Sequence, residues 1–537
     1  MTSVELSAEQ SQLIKKIASD NDFTDHQVKN ITGSAKGDNY FGKITSVTIE
    51  DGNKKLELIL KSAPVGEIRK RMPLHKAYLR EIFVYEQVFA EFKKFQEEYR
   101  LSEPFQSYPK LYATCDTEFS ECLVMENLRE SGYKLWNRKQ PMNPEHISAV
   151  LKEYAKLHAV SLAMAERKPE DFRKLVKVMK EYIWDTNKEQ KAMFVNSVMV
   201  KVMDIFENDA ETTRVLKAFE KRLPDLFFDP SSESENLVIE HGDCWCNNLM
   251  FEYKNQDNSS VPSSVRIIDW QLSRLSSPAM DLSYFFLVHS PKEILYDYEN
   301  YLKLYHDTLS KNLREFSCDP EKVFPYSVLL EHWNKKACLS VYTAFSILKL
   351  LLCDSEDAPD FNEGDVGGKN LMDILSFTPK DGDVYSTRIR DLVEFSIKTG
   401  IVRITTVELS AGQSQLIEKI ASDNDFTDHQ ATTTTESVRG DNYMGKITTV
   451  TEEDGNKKMG LILRSAHVAK IRKQMSIHKV HLREIFLYEE DFAKFKEFQE
   501  EYRISKPFQK YAKLYATSDV ERRECLVMEN TRESDHK

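Results

Sequence analysis

The chain has 537 residues, of which 41% are hydrophobic and 30% charged, an ordinary balance for a globular protein with a sizeable core. Its formal net charge of −12 excludes a protein whose main role is to hold nucleic acid, because phosphate binding needs a basic surface. Eight cysteines are too few for a disulfide framework in so long a chain. This composition favours reduced thiols and a cytoplasmic protein.

Neither the first residues of the chain nor its most apolar stretch indicates membrane insertion. The first residues, MTSVELSAEQSQLIKKIASD, lack a basic segment followed by an apolar one, so we expect no signal peptide. The stretch 339–353 contains Lys349 and is short for a bilayer, so it predicts a buried helix and no membrane span. The sequence does not indicate an oligomeric state.

A long internal repeat determines the organisation of the chain. TSVELSAEQSQLIKKIASDNDFTDHQ at residue 2 returns as TTVELSAGQSQLIEKIASDNDFTDHQ at residue 405, and the offset of 403 holds to the last residue, Lys537. Residues 135–400 have no counterpart. The sequence therefore predicts parts at 1–127 and 128–400, followed by a truncated copy of the first part at 401–537. A fusion of duplicated genes or a regulatory appendage would each produce this copy.

The first part predicts an alternation of helices and hairpins. Residues 7–30 are predicted to be helical. The stretches 40–50 and 55–63 are rich in Ile, Val and Leu and flank Asp51-Gly52, a strong hairpin signal. Residues 75–95 have apolar side chains at helical spacing, and LYATCDTEFSECLVMEN (111–127) is typical of a second hairpin.

The second part is predicted to be mainly helical. Asn143 and Pro144 are the residue types of a helix N-cap and first turn, and an apolar stripe follows them. Short strands and loops are predicted for 230–270, and helices dominate from about residue 280. The expected fold class is α+β, with a small antiparallel-sheet N-lobe (1–127) and a larger helical C-lobe (128–400).

Polar residues at the ends of several predicted elements fit a phosphoryl-transfer site. Such a site needs a cation on the nucleotide phosphates, a carboxylate at the acceptor hydroxyl and oxygen ligands for Mg²⁺. Lys61 ends a strand, and Glu81 on the next helix can pair with it. Asp243 and Asn248 flank the loop in HGDCWCNNLMF (241–251). Asp269 follows a strand that can return beside Asn248.

Other interpretations of these residues are weaker. Asp243 and Asn248 taken alone are ordinary turn residues, and Glu86 rivals Glu81 on the same helix. Cys244 and Cys246 do not have the paired CxxC spacing of a structural zinc site, and no second pair lies nearby. Gly-Gly-Lys at 367–369 lacks the frame of a phosphate-binding loop.

The motifs resemble a known family of kinases. HGDxxxxN followed by IDW is similar to the catalytic and metal motifs of the aminoglycoside phosphotransferase and choline kinase branch of the protein-kinase-like fold. HGDCWCNNLMF, IIDWQLSRLSSPAMDLSYFF, AKLHAVS and REIFVYE resemble more specifically the insect ecdysteroid-kinase-like (CHK kinase-like) family, over about residues 25–400. The resemblance implies an ATP- and Mg²⁺-dependent kinase that phosphorylates a hydroxyl of a small molecule, such as an ecdysteroid-like or other lipophilic alcohol.

The resemblance also implies individual roles. Asp243 would orient or deprotonate the acceptor hydroxyl, and Asn248 and Asp269 would bind Mg²⁺. Lys61 would contact the nucleotide phosphates and Glu81 would hold that lysine. Met125 and Glu126 would bind ATP at a hinge, and Gly37 and Gly42 would lie over its phosphates. From the residues themselves, we expect His241 to orient the catalytic loop, Asp281 to anchor the loop or a helix start, and His158 to be a hydrogen-bonded core histidine that supports the loop.

Two alternatives remain at the level of function. One is a kinase with a choline- or aminoglycoside-type acceptor, and the other is a catalytically inactive binding protein of the same fold. A protein kinase is disfavoured because the HRD and DFG forms of the motifs are absent. The copy at 401–537 has no counterpart of Asp243, Asn248 or Asp269. It also has Arg464 opposite Lys61, so we expect no second active site there.

Overall fold

A boundary after Val402 divides the computed structural model into two units, Met1–Val402 and Arg403–Lys537. Each unit is described by itself. The described residues are 6–32, 42–66, 68–180, 182, 188–226, 236–254, 260–353, 382–403, 411–424, 430–435, 445–454, 457–466, 514–518 and 525–529.

A five-stranded antiparallel sheet forms the N-lobe, in the order β1-β2-β3-β5-β4. The strands are β1 (Gln27–Thr32), β2 (Lys43–Asp51), β3 (Lys54–Ser62), β4 (Leu111–Cys115) and β5 (Cys122–Glu126). Both predicted hairpins are present. Gly52 turns the chain between β2 and β3 with φ +59°, a conformation that glycine adopts without steric cost. Alternate residues of β2 are buried, so one face of the sheet packs on a core.

Helix α1 (Ala8–Asp20) covers that face. A capping box starts it, since the Ser7 hydroxyl accepts from the Gln10 N–H at 3.2 Å and the Gln10 side chain accepts from the Ser7 N–H at 3.0 Å. The helix is shorter than predicted, because residues 27–30 lie in β1. Asp22 at φ +59° adopts a left-handed conformation that ends a helix, so the predicted continuation to residue 30 was wrong.

A long helix with one irregular turn lies between β3 and β4 in the chain. After the short α2 (Ile68–Arg71), α3 (Leu74–Phe83) continues through a π-helical turn at Val84–Val88 into α4 (Phe89–Tyr99). These elements contain the segment predicted to be helical. Single π-turns inside α-helices are rare and occur frequently at functional sites.

The C-lobe is mainly helical, as predicted. Asn143 caps α5, accepting from the His146 N–H at 3.0 Å. Of the helices within the described ranges, none combines the length and the apolar character that a bilayer crossing requires. The C-lobe helices are α5 (Pro144–Arg167), α6 (Pro169–Val176), α7 (Lys188–Asp204), α8 (Ala210–Leu226), α9 (Pro278–His289), α10 (Lys292–Leu295), α11 (Tyr298–Glu315), α12 (Pro320–Val323), α13 (Tyr326–Leu352) and α14 (Gly382–Lys398).

Two small sheets in the C-lobe position the loops that carry the candidate residues. One has the order β6-β8-β9, from β6 (Lys134–Leu135), β8 (Leu249–Glu252) and β9 (Ser264–Ile267). The other pairs β7 (Val238–Glu240) with β10 (Arg274–Ser276). The β8–β9 register places Leu249 opposite Ile267, and the Ile268 N–H donates to the Asn248 carbonyl at 3.0 Å. The ends of these strands therefore meet at one place.

The second unit contains a second five-stranded antiparallel sheet with the same strand order as the first, β11-β12-β13-β15-β14. Arg464 lies opposite Ile447 in this sheet, as Lys61 lies opposite Ile44 in the first. The described elements are α15 (Ala411–Asp423), β11 (Gln430–Thr435), β12 (Gly445–Asp454), β13 (Lys457–Ala466), β14 (Leu514–Ser518) and β15 (Cys525–Glu529).

Candidate active site

Lys61 lies between two carboxylates that come from different parts of the first unit. Its Nζ is 2.6 Å from Glu81 Oε2 on α3 and 2.7 Å from Asp269 Oδ1 just after β9. Lys61 and Glu81 are almost completely buried. Burial disfavours the charge of Lys61, but the two carboxylates outweigh burial and raise its pKa. The lysine therefore remains a cation inside the fold.

Glu81 and its rival Glu86 point to different places. Glu81 Oε1 also accepts from the Trp270 N–H at 3.2 Å, so the carboxylate contacts both Lys61 and the segment after Asp269. Glu86 is exposed and accepts from the Thr114 hydroxyl on β4. Of the two glutamates, Glu81 is the one that pairs with Lys61.

The loop after β7 turns sharply at Gly242, which has φ +83°. A Cβ at this position would lie 2.5 Å from the Leu272 carbonyl oxygen, so only glycine fits. Next to it, His241 donates from Nε2 to the Ile268 carbonyl at 3.0 Å, and its Nδ1 accepts from the Asp243 N–H at 3.3 Å. Burial lowers the pKa of His241, which agrees with this neutral form of the ring.

Asp243 and Asn248 contact each other across the loop. Asn248 Nδ2 donates to Asp243 Oδ2 at 2.9 Å and to the Asp243 carbonyl at 3.0 Å. Because the nitrogen end of the amide faces Asp243, its oxygen end is directed away from that residue. Asp243 Oδ1 accepts from the Tyr284 hydroxyl at 3.1 Å.

The Asp243 carboxyl group has a pKa raised to about 7. Burial is the main cause and the charge of Asp269 the second, while hydrogen bonds from Tyr284, Asn248 and the Trp245 side chain oppose the shift. A carboxyl group with a pKa near neutrality can accept and release a proton under physiological conditions.

Asp281, on α9, fixes the backbone of the loop. Its carboxylate accepts from the His241 N–H at 2.8 Å and from the Gly242 N–H at 2.9 Å. The Cys244 thiol lies 2.9 Å from the same group, and His158 Nε2 lies 3.2 Å from it. Burial alone would raise the pKa of Asp281, but hydrogen bonding and charge from His158 outweigh burial and lower it to about 2. Asp281 is thus ionised throughout the neutral range.

Met125 and Glu126 end β5 at the junction of the lobes. The Glu126 N–H donates to the Lys110 carbonyl at 2.9 Å, and the Asn127 N–H donates to a carbonyl of β3 at 3.1 Å. Both amides are therefore engaged within the N-lobe. Leu128 follows, and its side chain begins an apolar cluster with Tyr133, Met250, Leu135 and Ile268.

The two glycines of the expected phosphate loop have different outcomes. Gly37 lies outside the described residues. Gly42 precedes β2, and a Cβ there would lie 2.6 Å from the Tyr78 hydroxyl and 3.4 Å from Cγ of Lys61. Gly42 thus allows the start of β2 to approach the lysine closely.

The cysteines of the loop take part in hydrogen bonds. The Cys246 N–H donates to His289 Nε2 at 2.9 Å, and Cys244 contacts Asp281 as described above. Across the described part of the chain, no group of three or more His, Cys, Asp and Glu side chains could hold a metal ion. Seven cysteines in those ranges form no disulfide.

Three residues at the site have contacts that the sequence did not predict. Tyr284 and His289 lie on α9 in a run of apolar residues that predicts only a buried helix. Arg80 precedes Glu81, and its guanidinium donates to the carbonyls of Ser273, Val178 and Lys180 in the C-lobe. No local pattern indicates such partners, because they lie 98 to 193 positions away in sequence.

Comparison with known proteins gives a family. The model of the ecdysteroid kinase-like family matches residues 36–318 and 439–537, more than half of the chain. The chain belongs to this family. The second match falls within the internal repeat, so the chain contains two segments with ecdysteroid kinase-like sequence, of which residues 439–537 are the shorter.

The α+β architecture expected from the sequence, a small antiparallel sheet followed by a larger and mainly helical part, is confirmed for this ecdysteroid kinase-like protein. Similar solved structures include a spectinomycin phosphotransferase in complex with ADP and spectinomycin, at 10% identity and TM-score 0.36. They also include a GDP complex of an aminoglycoside 2′-phosphotransferase IIIa mutant, at 10% identity and TM-score 0.35. Each alignment covers 73% of this chain and 98% of the other chain. No curated protein sequence matches this one.

Proposed function

We propose that the first unit transfers the γ-phosphoryl group of ATP to a hydroxyl of a small lipophilic alcohol, such as an ecdysteroid-like compound, in the cytoplasm of an insect cell. The observation that carries the proposal is the convergence of Lys61, Asp243 and Asp269, which come from three separate segments, at one place. Membership of the ecdysteroid kinase-like family supports a small-molecule kinase.

In the proposed reaction, the acceptor oxygen attacks the γ-phosphorus of ATP. The bond between that phosphorus and the β–γ bridging oxygen breaks, and ADP leaves. The Asp243 carboxylate takes the proton of the acceptor hydroxyl as the new bond forms. Lys61 balances negative charge on the nucleotide phosphates, and Glu81 holds its ammonium group in place. Asp269 must then exchange its contact with Lys61 for other partners when nucleotide binds.

The donor set at the loop is compatible with Mg²⁺. One carboxylate (Asp269) and one amide oxygen (Asn248) are hard ligands of the type that Mg²⁺ prefers, and the Asn248 nitrogen is already turned toward Asp243. A bound Mg²⁺ would supply positive charge to the phosphate oxygens. The adenine would lie against the segment Met125–Leu128, next to the buried apolar cluster that contains Tyr133 and Met250.

The test measures ATP turnover by the full chain with Mg²⁺ and a panel of ecdysteroids, sterols, choline and aminoglycosides. We expect turnover that depends on a lipophilic alcohol. The Asp243→Asn variant should be slower by about 10²- to 10⁴-fold, the usual contribution of a positioned base. Asp171→Asn, which changes an exposed aspartate paired with Lys174, is the matched control and should retain activity.

Each other outcome points to a different conclusion. Turnover with choline or an aminoglycoside alone would replace the lipophilic acceptor with a cationic one. ATP binding without turnover on any acceptor would favour a binding protein of the same fold. Equal rates in wild type and Asp243→Asn would remove Asp243 from the reaction.

A further inference from the structure

Helix α9 contacts the loop 241–248 at three points. Asp281 accepts from the amides of His241 and Gly242, and His289, near the other end of the helix, accepts from the Cys246 amide. Both contacts fix the loop backbone. Between them, Tyr284 contacts a side chain, and that side chain is Asp243.

Tyr284 and Asp281 are three residues apart, so they project from the same face of α9. The Tyr284 hydroxyl lies 3.1 Å from Asp243 Oδ1, while Asn248 holds Oδ2 at 2.9 Å. A carboxylate has only acceptors, so the tyrosine hydroxyl is the donor. Both oxygens of Asp243 thus receive hydrogen bonds, and Tyr284 and Asn248 restrict the plane of the carboxylate from different elements.

We propose that Tyr284 is a positioning residue for the phosphoryl transfer: its hydroxyl fixes the rotation of the Asp243 carboxylate toward the acceptor hydroxyl. The inference rests on the proposed function. With Tyr284 removed, Oδ1 would lose its hydrogen bond from α9, and the rotation of the carboxylate would be less restricted. Misplacement of a reacting group by about 1 Å can cost about 10²-fold in rate.

The hydroxyl of Tyr284 has a different kind of hydrogen-bond acceptor from other tyrosine hydroxyls inside the fold. The Tyr385 hydroxyl donates to the Phe345 carbonyl at 3.2 Å, and the Tyr182 hydroxyl donates to the Gln271 carbonyl at 2.5 Å. Both hydroxyls donate to a neutral backbone group, the first in the buried core and the second at a half-buried position. Tyr284 instead donates to the carboxyl group that takes part in the proposed reaction.

Burial, followed by the charge of Asp243, raises the pKa of Tyr284 well above its usual value. The hydroxyl therefore keeps its proton at neutral pH and remains a donor. Tyr284 is 8% exposed, so water has little access to replace the contact once it is lost.

The first experiment compares Tyr284→Phe with Tyr385→Phe in the full chain. Both variants delete one buried hydroxyl, but only the first contacts Asp243. We expect Tyr284→Phe to lower kcat by about tenfold to a hundredfold with little change in the KM for ATP, because nucleotide contacts are intact. Tyr385→Phe should lower the melting temperature and leave kcat unchanged. If Tyr284→Phe behaves like Tyr385→Phe, the proposal is wrong.

A second measurement needs no acceptor. The melting temperatures of wild type, Tyr284→Phe, Asp243→Ala and the double variant form a cycle that isolates the Tyr284–Asp243 contact. We expect the effect of Tyr284→Phe to be smaller in the Asp243→Ala background, where the hydroxyl has already lost its acceptor. Additive shifts would overturn the contact. A coupled cycle in a protein that turns over no acceptor would retain the contact and reject the kinase.

Discussion

At the scale of the residue, Lys61 is the only cation that the described site places against Glu81 and Asp269. Removing one member of a buried ion pair leaves an uncompensated charge, which typically costs about 3–5 kcal/mol. We therefore expect Lys61→Met to lose ATP turnover and to unfold at a lower temperature, measured by thermal unfolding of the full chain.

Lys61→Arg is the matched control for that experiment. It keeps the charge, so it should recover much of the lost stability, but its planar fork has different donor geometry and should not restore full turnover. The repeat has arginine, Arg464, at the position that corresponds to Lys61. A Lys61→Met variant as stable as wild type would show that the carboxylates need no cation.

The Asp243 carboxyl group should make the stability of the fold depend on pH. The pKa of Asp243 is raised to about 7 in the folded state, mainly by burial, whereas an aspartate in an unfolded chain titrates near ~3.9. The folded state thus binds the proton more tightly. The free energy of unfolding should fall as the pH rises from about 4 to about 7 and then level off with respect to this group.

Asp243→Asn does not titrate, so its melting temperature should fall less over that window than that of wild type. The difference in melting temperature between wild type and Asp243→Asn should therefore change up to about pH 7, in the direction that favours the variant, and stay constant above that pH. As the proposed base, Asp243 must be ionised, so kcat of wild type should rise through the same pH. If the melting temperatures of wild type and variant changed in parallel with pH, that result would contradict the raised pKa of Asp243.

At the scale of the element, the loop 241–248 depends on one glycine. Gly242 and Gly132 both have positive φ, at +83° and +92°, but only Gly242 has a backbone neighbour where a Cβ would lie. Gly132→Ala should lower the free energy of unfolding by about 1–3 kcal/mol through backbone strain alone. Gly242→Ala should lower it further and reduce ATP turnover, because the loop must move away from the Leu272 carbonyl.

Thermal unfolding and ATP turnover of the two alanine variants give the result. Equal stability losses with unchanged turnover in both would mean that the contact with Leu272 does not fix the loop.

Sequence patterns predicted most elements because their signals are local. The hairpin at Asp51-Gly52, the cap at Asn143 and the helix that carries Glu81 each depend on residues a few positions apart. The prediction that the first helix reaches residue 30 was wrong because β1 gains its stability from pairing with β2. The local pattern of residues 27–30 does not reveal that pairing.

The candidate site was predictable where its residues fall in ordered motifs and obscure where they do not. HGD and IDW mark Asp243 and Asp269. Tyr284 carries no such mark, since a tyrosine in an apolar helix is usually a core residue and its partner is 41 positions away.

At the scale of the whole molecule, residues 1–402 form one unit and residues 403–537 another. All the residues of the proposed reaction lie in the first unit. We expect a protein of residues 1–402 to turn over ATP at the rate of the full chain, and residues 403–537 to have no turnover. Steady-state rates per molecule provide the measurement. A higher rate for residues 1–402 would instead identify the repeat as an inhibitory appendage.

Arg80 has a mechanical consequence. Its hydrogen bonds to the carbonyls of Ser273, Val178 and Lys180 hold α3 against the C-lobe, so we expect this N-lobe helix to move with the C-lobe. The sheet is then the part that can move, and Lys61 on β3 is the side chain that travels with it. A shift of the sheet would then change the distance from Lys61 to Glu81, and Glu81 would keep its position relative to Asp269.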